Sequence, residues 1–355
     1  GLRVGVLGAK GSCKSTLARY LCNVLLSRHG AVMHLESDVG QPEFTPAGLL
    51  SLSLVTKPLL GPPHTHIRTP VKAVFYGDVS PEEDPVLYRR CCSELSESFS
   101  EQQVAGAKVP LIINTCGWIK GLGLDLKQHL IKCCNATHII ACYVGNPRKD
   151  LPPPTRGGDE ELWGAGVTVE RMKPVEFASA KAPINATELR TMQLLTYLTG
   201  TSRYGQEAAK ILARAVPYRV PLSALALHFL HAPVPASQEL VAINGTLVGL
   251  AVSGRKGADR GGDQKERMME TLGLGVVRAV DPASKMLYVL SQLPEQDLQR
   301  VDTLVRGKLE LPLQALNYYP ASGRAPYLVI ESLGVSNTGS SSMRSRSNIL
   351  RKGHS

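Results

Sequence analysis

The sequence lacks the spacings and runs that define several common classes of protein. Its eight cysteines include no CxxC pair, the spacing that zinc sites and thioredoxin-like enzymes use. The opening apolar stretch Leu2–Leu7 is too short and too soon interrupted for a secretory signal or a membrane span. The cysteines are therefore expected to be reduced thiols of an intracellular protein that has no membrane partner.

Acidic residues are fewer than basic ones. There are 30 Asp and Glu against 40 Lys and Arg, which gives a net charge of +10. This excess makes a polyanion such as nucleic acid a reasonable partner, although a basic surface without such a partner is the plainer interpretation. After Glu331 the acidic residues stop, and the remaining charges are Arg344, Arg346, Arg351 and Lys352. The Ser- and Gly-rich composition there predicts a flexible basic tail over residues 334–355.

Length and apolar content exclude a disordered chain and a disulfide-stapled miniprotein. With 355 residues, of which 43% are hydrophobic and 20% charged, the chain can bury the cores of two domains. Because it starts without Met inside a predicted core strand, it is expected to be part of a longer protein.

Residues 1–145 alternate short apolar runs with helical patterns. This alternation predicts an α/β domain of the P-loop type, in which helices cover both faces of a mostly parallel sheet. The predicted strands are Leu2–Gly8, Ala31–Leu35, Val109–Asn114 and His138–Tyr143, and the predicted helices are Ser15–His29, Pro85–Phe99 and Leu124–Cys134. Ligands of such sheets bind at the carboxyl ends of the strands.

The remaining residues divide into two regions. Periodicity fails between Gly145 and Pro183, so residues 146–217 are predicted to hold a lid or an unstructured segment, then a helix that Thr187 caps. From Tyr218 onward the pattern is typical of strands, and residues 218–333 are predicted to form a smaller β-rich domain. Its predicted strands are Val220–Phe229, Glu239–Val252, Leu274–Val280, Met286–Leu290 and Leu304–Leu313.

A candidate phosphate-binding loop lies between the first strand and the first helix, where a Walker A loop belongs. Lys14 is predicted to reach the β and γ phosphate oxygens of ATP, and Ser15 to place its hydroxyl on Mg²⁺. The alternative is a glycine-rich turn that caps an ordinary helix. The loop comprises Gly8, Ala9, Lys10, Gly11, Ser12, Cys13, Lys14, Ser15 and Thr16.

Cys13 departs from the Walker A pattern, which has glycine before the lysine. Glycine is usual there because the backbone is left-handed or intolerant of a Cβ, and another residue costs about 1–2 kcal/mol. Since about 1.4 kcal/mol is a factor of ten, nucleotide affinity is expected to fall about tenfold without being abolished. A redox-sensitive thiol beside Lys14 is an alternative role for this cysteine.

A carboxylate is expected at the end of the strand next to this loop. Asp38 follows the predicted strand Ala31–Leu35 and is the candidate that holds Mg²⁺ or takes a proton. Glu36 is a rival of the same type, but Asp38 lies nearer the expected mouth of the site. Gln41 is placed to orient a phosphate or a water. The alternative for Asp38 is a turn or cap residue.

Four stretches, taken in order, resemble the polynucleotide 5′-hydroxyl kinases, and in particular the nucleolar branch of that family. They are the phosphate loop, Asp38–Pro46, Leu60–His66 and Asn114–Trp118. The resemblance spans most of residues 2–330 and is strongest before residue 145. It implies a P-loop kinase that uses ATP and Mg²⁺ to phosphorylate an RNA 5′-hydroxyl end. His64 and His66 lack a surrounding metal-ligand set and are candidates for RNA contact.

The resemblance also assigns roles to the residues near the phosphates. The family's Walker A loop corresponds to Gly8–Thr16, with Lys14 on the phosphates and Ser15 on the metal. Its acidic element, which serves Mg²⁺ and activates the acceptor hydroxyl, corresponds to Asp38 with Gln41 nearby.

Two further elements of the family are predicted to hold and cover the substrate. Its TxGW clasp corresponds to Thr115, Gly117 and Trp118, and the Trp118 ring beyond a central strand is suited to stacking on a base. The alternative for Trp118 is a core residue. A lid arginine that neutralises the transferring phosphoryl group corresponds to Arg190, whose alternative is a solvated helix face. The preceding stretch Ala182–Asn185 lacks the other basic residues expected of the lid.

The prediction is therefore an ATP-dependent polynucleotide kinase. By resemblance, its substrate would be a pre-ribosomal RNA end made by an endoribonuclease partner in the nucleolus, and the adenine contacts would lie in an upstream domain. One alternative is a P-loop scaffold that binds RNA and a nuclease but is weakened in catalysis by Cys13. Another is a P-loop kinase or ATPase that acts on a small molecule.

Overall fold

The computed structural model describes residues 1–104, 109–147, 150–153, 158–173, 184–200, 206–253 and 268–311. These residues form two compact units whose boundary lies between Gln193 and Leu194, and Met268 belongs to the first unit. The predicted domain limits at residues 145, 217 and 333 stay predictions, and the predicted tail 334–355 lies outside the described residues. Within the described ranges, no helix is long and apolar enough to cross a lipid bilayer.

A seven-stranded sheet forms the frame of the first unit. Its strands are β1 (Arg3–Gly8), β2 (Val32–Glu36), β3 (Leu49–Val55), β4 (Lys72–Phe75), β5 (Leu111–Asn114), β6 (His138–Cys142) and β7 (Thr168–Met172). Their order in the sheet is β4-β3-β2-β5-β1-β6-β7. The pairs β2–β5, β5–β1, β1–β6 and β6–β7 are parallel. Strand β3 pairs antiparallel with both β2 and β4. The carboxyl ends of β1, β2 and β5 therefore lie side by side at one edge of the sheet.

Helices pack on both faces of this sheet, which confirms the predicted α/β class. They are α1 (Lys14–His29), α2 (Pro85–Val104), α3 (Leu122–Cys133) and α4 (Gly158–Trp163), followed by α5 (Ala186–Thr199), which crosses the boundary between the units. Val4 and Val6 of β1 pack in one core cluster with Cys22 of α1. Leu7 belongs to a second cluster with Ile131 of α3. Because successive side chains of a strand point to opposite faces, β1 serves both cores.

The sequence pattern does not reveal four elements of the first unit. Strands β3 and β4 were not predicted, and neither were helix α4 and strand β7, which lie in the segment where periodicity fails. β7 lies at the edge of the sheet, and four of its five residues are exposed, while Val169 is half-buried. An edge strand exposed on most of its residues carries no apolar period for a sequence to display.

The second unit is built on a six-stranded sheet, as predicted for a smaller β-rich domain. Its strands are β8 (Tyr218–Pro221), β9 (Ala226–Phe229), β10 (Leu247–Val252), β11 (Glu270–Asp281), β12 (Met286–Ser291) and β13 (Thr303–Arg306), and its helices are α6 (Gln206–Arg214), α7 (Glu239–Ile243) and α8 (Glu295–Leu298). The strand order is β8-β12-β11-β10-β13-β9. All pairs are antiparallel except β13 with β9.

Three of the strands predicted for this unit differ in the structure. The predicted strand Val220–Phe229 is two strands separated by a 3₁₀ turn at Leu222–Ala224. Pro221 has no N–H to continue a strand ladder, which explains the break. The predicted strand Glu239–Val252 begins with helix α7, because a short apolar run does not distinguish helix from strand. The strand predicted over Leu304–Leu313 ends at Arg306, and its last two residues lie outside the described ones.

The N-cap predicted at Thr187 is wrong, because helix α5 begins one residue earlier, at Ala186. Asn185 Oδ1 accepts a hydrogen bond from the Glu188 N–H at 2.9 Å, and the Asn185 N–H donates to Glu188 Oε2 at 2.9 Å. This reciprocal pair is a capping box, with asparagine in place of serine or threonine. The Thr187 hydroxyl instead accepts a hydrogen bond from the Arg190 guanidinium at 3.0 Å.

Candidate active site

The phosphate loop closes on the carbonyl oxygen of Ala9. Lys14 Nζ donates to this oxygen at 2.7 Å, and Ser12 Oγ donates to it at 2.9 Å. A Cβ on Gly8, where β1 ends, would lie 2.5 Å from Ser12 Oγ and 2.6 Å from the carbonyl oxygen of Cys142. Only glycine allows the strand to turn this tightly into the loop.

Cys13 adopts the left-handed conformation, the first of the two backbone conditions that the sequence predicts for its position. It is the N-cap of α1, with φ 62° and ψ 19°, and its carbonyl oxygen accepts the first helical hydrogen bond, from Leu17 N–H at 2.9 Å. The loop thus carries a Cβ on a left-handed backbone at the position where glycine is usual. The cost is the strain of a left-handed non-glycine residue, about 1–2 kcal/mol.

The Lys14 ammonium is buried near other charged groups. The residue is only 6% exposed. Burial lowers the pKa of Lys14 below its ordinary value, the Asp38 carboxylate opposes this, and the Lys127 ammonium adds to the lowering. A carboxylate and a second lysine therefore both lie within electrostatic reach of the phosphate-loop lysine.

Asp38 is held by one carboxylate oxygen. Its Oδ1 accepts hydrogen bonds from the N–H groups of Gly40 at 3.0 Å and Gln41 at 3.1 Å. The other oxygen makes no hydrogen bond with any residue that the structure describes. Gln41 is exposed beside it. The loop thus orients the carboxylate and leaves one oxygen for a metal or an acceptor hydroxyl.

Glu36, the rival of Asp38, lies beneath the site and is completely buried. Its carboxylate accepts hydrogen bonds from the Asp38 N–H at 2.8 Å, from the Glu43 N–H at 3.1 Å and from Asn114 Nδ2. Burial and the Asp38 charge raise the pKa of Glu36 well above its ordinary value, against the effect of its hydrogen bonds with Asn114 and the Asp38 N–H. Glu36 therefore supports the loop that carries Asp38.

Glu43 joins this loop to two other parts of the first unit. Its carboxylate accepts a pair of hydrogen bonds from Arg19 of α1, at 2.9 and 3.1 Å, and contacts His66 Nε2 at 2.6 Å. Burial acts to raise the pKa of Glu43, but the hydrogen bonds from His66 and Arg19 outweigh it and hold the pKa below its ordinary value. The His66 ring is thereby engaged inside the protein, while His64 stays a candidate for RNA contact.

The predicted clasp Thr115–Trp118 packs directly against the phosphate loop. A Cβ on Gly117 would lie 2.7 Å from the backbone nitrogen of Lys10, so a larger residue would displace the loop. The Thr115 hydroxyl is buried and donates to the Val6 carbonyl oxygen of β1 at 2.9 Å. Trp118 is half-buried, and a Cβ on Gly123 of α3 would overlap its ring. The clasp is thus fixed from below by β1 and from the side by α3.

Two polar side chains that sequence analysis missed also support this region. Lys127 of α3 is buried and donates through Nζ to the Trp118 carbonyl oxygen at 2.7 Å. Gln193 of α5 is buried and donates through Nε2 to the carbonyl oxygens of Pro42 at 3.0 Å and Thr45 at 2.7 Å. The available signal was a polar residue inside an apolar helical stripe, where burial demands a partner.

Arg190, the predicted lid arginine, lies one turn before Gln193 on α5. Residues three apart on a helix are neighbours on its surface, so the anchored Gln193 brings the Arg190 turn close to the Pro42–Thr45 loop. Arg190 is half-buried, and its guanidinium donates to the Thr187 hydroxyl of the same helix at 3.0 Å. The lid residues 174–183 that precede this helix lie outside the described residues.

The residues at this edge of the sheet fit a magnesium nucleotide. The Ser15 hydroxyl and the second Asp38 oxygen have no hydrogen-bond partner among the described residues, and oxygen ligands of this kind are those that Mg²⁺ prefers. No described cluster of three or more His, Cys, Asp or Glu side chains is arranged to hold a metal. A magnesium site needs only one or two protein ligands, because Mg²⁺ keeps several waters and takes phosphate oxygens of the nucleotide as its other ligands.

Two family models match most of the chain. One, described as mRNA cleavage and polyadenylation factor CLP1 P-loop, matches residues 8–200, and the other, described as NOL9-like C-terminal domain, matches residues 213–312. The first covers the phosphate loop, Asp38, the clasp and Arg190, so the chain carries the nucleotide-binding loop of that family.

Curated proteins of similar sequence agree with these family models, and a solved structure agrees with the fold. The Arabidopsis thaliana protein named polynucleotide 5′-hydroxyl-kinase NOL9 is 33% identical, over 91% of this chain and 89% of the relative. The Homo sapiens protein of that name is 29% identical over 92% of this chain and 52% of the relative, so the chain spans about half of that protein. The structure of a wild-type Clp1p–Pcf11p complex matches with a TM-score of 0.63 at 17% identity, over 87% of this chain and 74% of that one, which supports the fold.

Proposed function

We propose that this chain, which belongs to the NOL9-like family of polynucleotide 5′-hydroxyl kinases, transfers the γ-phosphoryl group of ATP to the 5′-hydroxyl end of an RNA. The observation that carries the proposal is that Lys14, Asp38 and the clasp meet at one edge of the sheet. The Asp38 charge acts on Lys14, and Gly117 packs against Lys10 of the phosphate loop. A phosphate donor and an acceptor hydroxyl would share this edge.

The phosphate loop would hold the donor. Lys14 would exchange its hydrogen bond with the Ala9 carbonyl oxygen for the β and γ phosphate oxygens, while the N-terminus of α1 stabilises the negative charge. Ser15 and Asp38 would hold Mg²⁺, which supplies neutralisation of the phosphate charge when bound.

Asp38 and Trp118 would hold the acceptor. The second oxygen of Asp38 would accept the proton, or orient the hydroxyl, of the RNA 5′ end, and the first oxygen stays fixed by Gly40 and Gln41. The Trp118 ring would stack on the terminal base without reading its identity, an interaction of about 1–3 kcal/mol. Gln41 would orient a phosphate oxygen or a water beside them.

Arg190 would complete the site as the lid residue. A guanidinium over the transferring phosphoryl group stabilises charge that develops in the transition state. The hydrogen bonds of Gln193 join its helix to the Pro42–Thr45 loop, so Arg190 and the loop that carries Asp38 would keep a fixed relative position.

The substrate in the cell would be a pre-ribosomal RNA end produced by an endoribonuclease partner, and the protein would act in the nucleolus. The sequence resemblance to the nucleolar branch of the family supports this part of the proposal. The net charge of +10 agrees with an RNA substrate.

The test is transfer of labelled γ-phosphate from ATP to a 5′-hydroxyl oligoribonucleotide by the whole chain. We expect transfer that Lys14→Ala abolishes, while Lys57→Ala, which removes an exposed lysine of the same unit, leaves it unchanged. An oligonucleotide that already carries a 5′-phosphate should accept nothing. Absence of Lys14-dependent transfer under these conditions would refute the proposal.

The strained conformation of Cys13 favours one alternative, a scaffold with weakened catalysis. Cys13→Gly separates the two functions: a large gain in ATP affinity or rate would identify the native loop as impaired. Salt-sensitive RNA binding that weakens in Trp118→Ala would count against the remaining alternative, a P-loop kinase or ATPase that acts on a small molecule.

A further inference from the structure

Lys127 is a charged residue in an apolar position. It lies on the face of α3 that packs against the sheet, next to Leu126 and near Leu130, and it is only 2% exposed. Taking an ammonium group out of water costs several kcal/mol unless a partner of opposite charge compensates. A leucine or methionine would fill this position without that cost.

The partners of Lys127 are neutral. Its Nζ donates to the Trp118 carbonyl oxygen at 2.7 Å and contacts Cys116 Sγ at 3.4 Å. Among the residues that the structure describes, it forms no ion pair with a carboxylate. Lys72, a half-buried lysine of the same unit, is paired with Glu94 at 3.3 Å. The charge of Lys127 is therefore under-compensated compared with that of a structural lysine in this protein.

The field of Lys127 reaches the phosphate loop. Lys127 Nζ contacts Cys116 and Trp118, the two neighbours of Gly117, and Gly117 packs against the backbone of Lys10 in the phosphate loop. Two buried ammonium groups near one another repel, and a bound polyanion relieves that repulsion. The place where such an anion would bind is the phosphate loop that Lys14 already serves.

We propose that Lys127 is a positioning residue of the kinase site, which holds the Trp118 backbone in place for the RNA end and adds a second positive charge beside Lys14 for the nucleotide phosphates. This inference rests on the proposed function. It assigns to one side chain the link between the two substrates, because the same ammonium group contacts the clasp and acts on the phosphate loop.

The test compares Lys127→Met and Lys127→Arg with Lys132→Met, which removes an exposed lysine of the same helix. We expect Lys127→Met to raise the KM for a 5′-hydroxyl oligonucleotide about tenfold, and the Kd for ATP about threefold or more. Its free energy of unfolding should equal or exceed that of the wild type, because a buried, poorly paired charge is removed. Lys127→Arg should recover ATP affinity despite its larger volume, and Lys132→Met should change nothing.

A purely structural lysine would behave differently. It would make Lys127→Met less stable, with ATP affinity and KM unchanged in the folded fraction, and Lys127→Arg would be less stable still because of its larger volume. Either result, or a Lys127→Met variant that does not fold, would overturn the proposal.

Two readouts do not depend on kinase activity. One is the Kd for ATP, and the other is acrylamide quenching of fluorescence from Trp118, since Trp163 is only 4% exposed and is shielded from the quencher. We expect quenching to increase in Lys127→Met. If the wild type transferred no phosphate, the proposed function would fail while these readouts still decided the role of Lys127.

Discussion

The buried carboxylate of Glu36 accepts hydrogen bonds from the side-chain amide of Asn114 at 3.0 and 3.1 Å. The two residues end the neighbouring strands β2 and β5, one before the Asp38 loop and the other before the clasp. Since Glu36 also accepts the Asp38 N–H at 2.8 Å, the position of Asp38 depends on a contact between strands. The metal side and the acceptor side of the site therefore share one buried polar support.

Removing the amide should destabilise the first unit. In Asn114→Ala the buried Glu36 side chain loses a hydrogen-bond donor, and a buried polar group that is left unsatisfied costs about 1–3 kcal/mol. We expect a loss of about this size in the free energy of unfolding, measured by urea denaturation. Asn114→Asp should be worse, and increasingly so as pH rises, because two carboxylates would face each other. An Asn114→Ala protein as stable as the wild type would contradict this account of the support.

Glu43 should make stability depend on pH in the acid range. Its pKa is held below the ordinary value of 4.5 by His66 and Arg19, which outweigh burial, so the unfolded chain binds a proton more readily than the folded protein does. The stability that Glu43 contributes is present above pH 4.5 and is lost as pH falls through its folded pKa. We expect the difference in unfolding free energy between wild type and Glu43→Gln to shrink as pH falls in this range. Glu82→Gln, at an exposed position, serves as the control and should show no such trend.

The left-handed backbone at Cys13 predicts a stabilising substitution. Cys13→Gly removes the strain of a Cβ at φ 62°. The gain of about 1–2 kcal/mol is partly offset by the greater freedom of glycine in the unfolded chain, about 0.4–1 kcal/mol. We expect the midpoint of thermal unfolding to rise. Cys13→Ala, which removes the sulfur and keeps the Cβ, should leave it unchanged; an equal rise in both variants would assign the effect to the thiol.

Gln193 should matter for phosphoryl transfer more than for nucleotide binding. Gln193→Leu leaves the buried carbonyl oxygens of Pro42 and Thr45 without their donor and releases α5 from this loop. We expect kcat to fall about tenfold, equivalent to about 1.4 kcal/mol, while the Kd for ATP stays within about twofold. Gln103→Leu is the matched control, since it also removes a single amide that donates to a carbonyl oxygen, that of Val109 at 2.9 Å. A kcat that both variants share with the wild type would show that Gln193 is not needed to place Arg190.

Local sequence was sufficient to predict the phosphate loop, the left-handed Cys13 and most elements of the first sheet. These features depend on nearby residues, because a strand, a glycine-rich turn and a helix N-terminus follow one another within a few positions. Elements such as β7 and α7 were missed because an exposed edge strand and a five-residue helix carry too few apolar positions to show a period.

By itself, the sequence determined the α/β class, the β-rich second region and the set of candidate residues from Lys14 to Arg190. The tertiary structure decided how the candidates are supported. Glu36 accepts the Asp38 N–H, Lys127 donates to the Trp118 carbonyl oxygen, and Gln193 of α5 donates to the loop that carries Asp38. These supports join residues from different elements, and nothing in a local pattern specifies which donor will meet which acceptor. Burial makes each pairing necessary, because a polar group without a partner in the core costs more than the contact itself contributes.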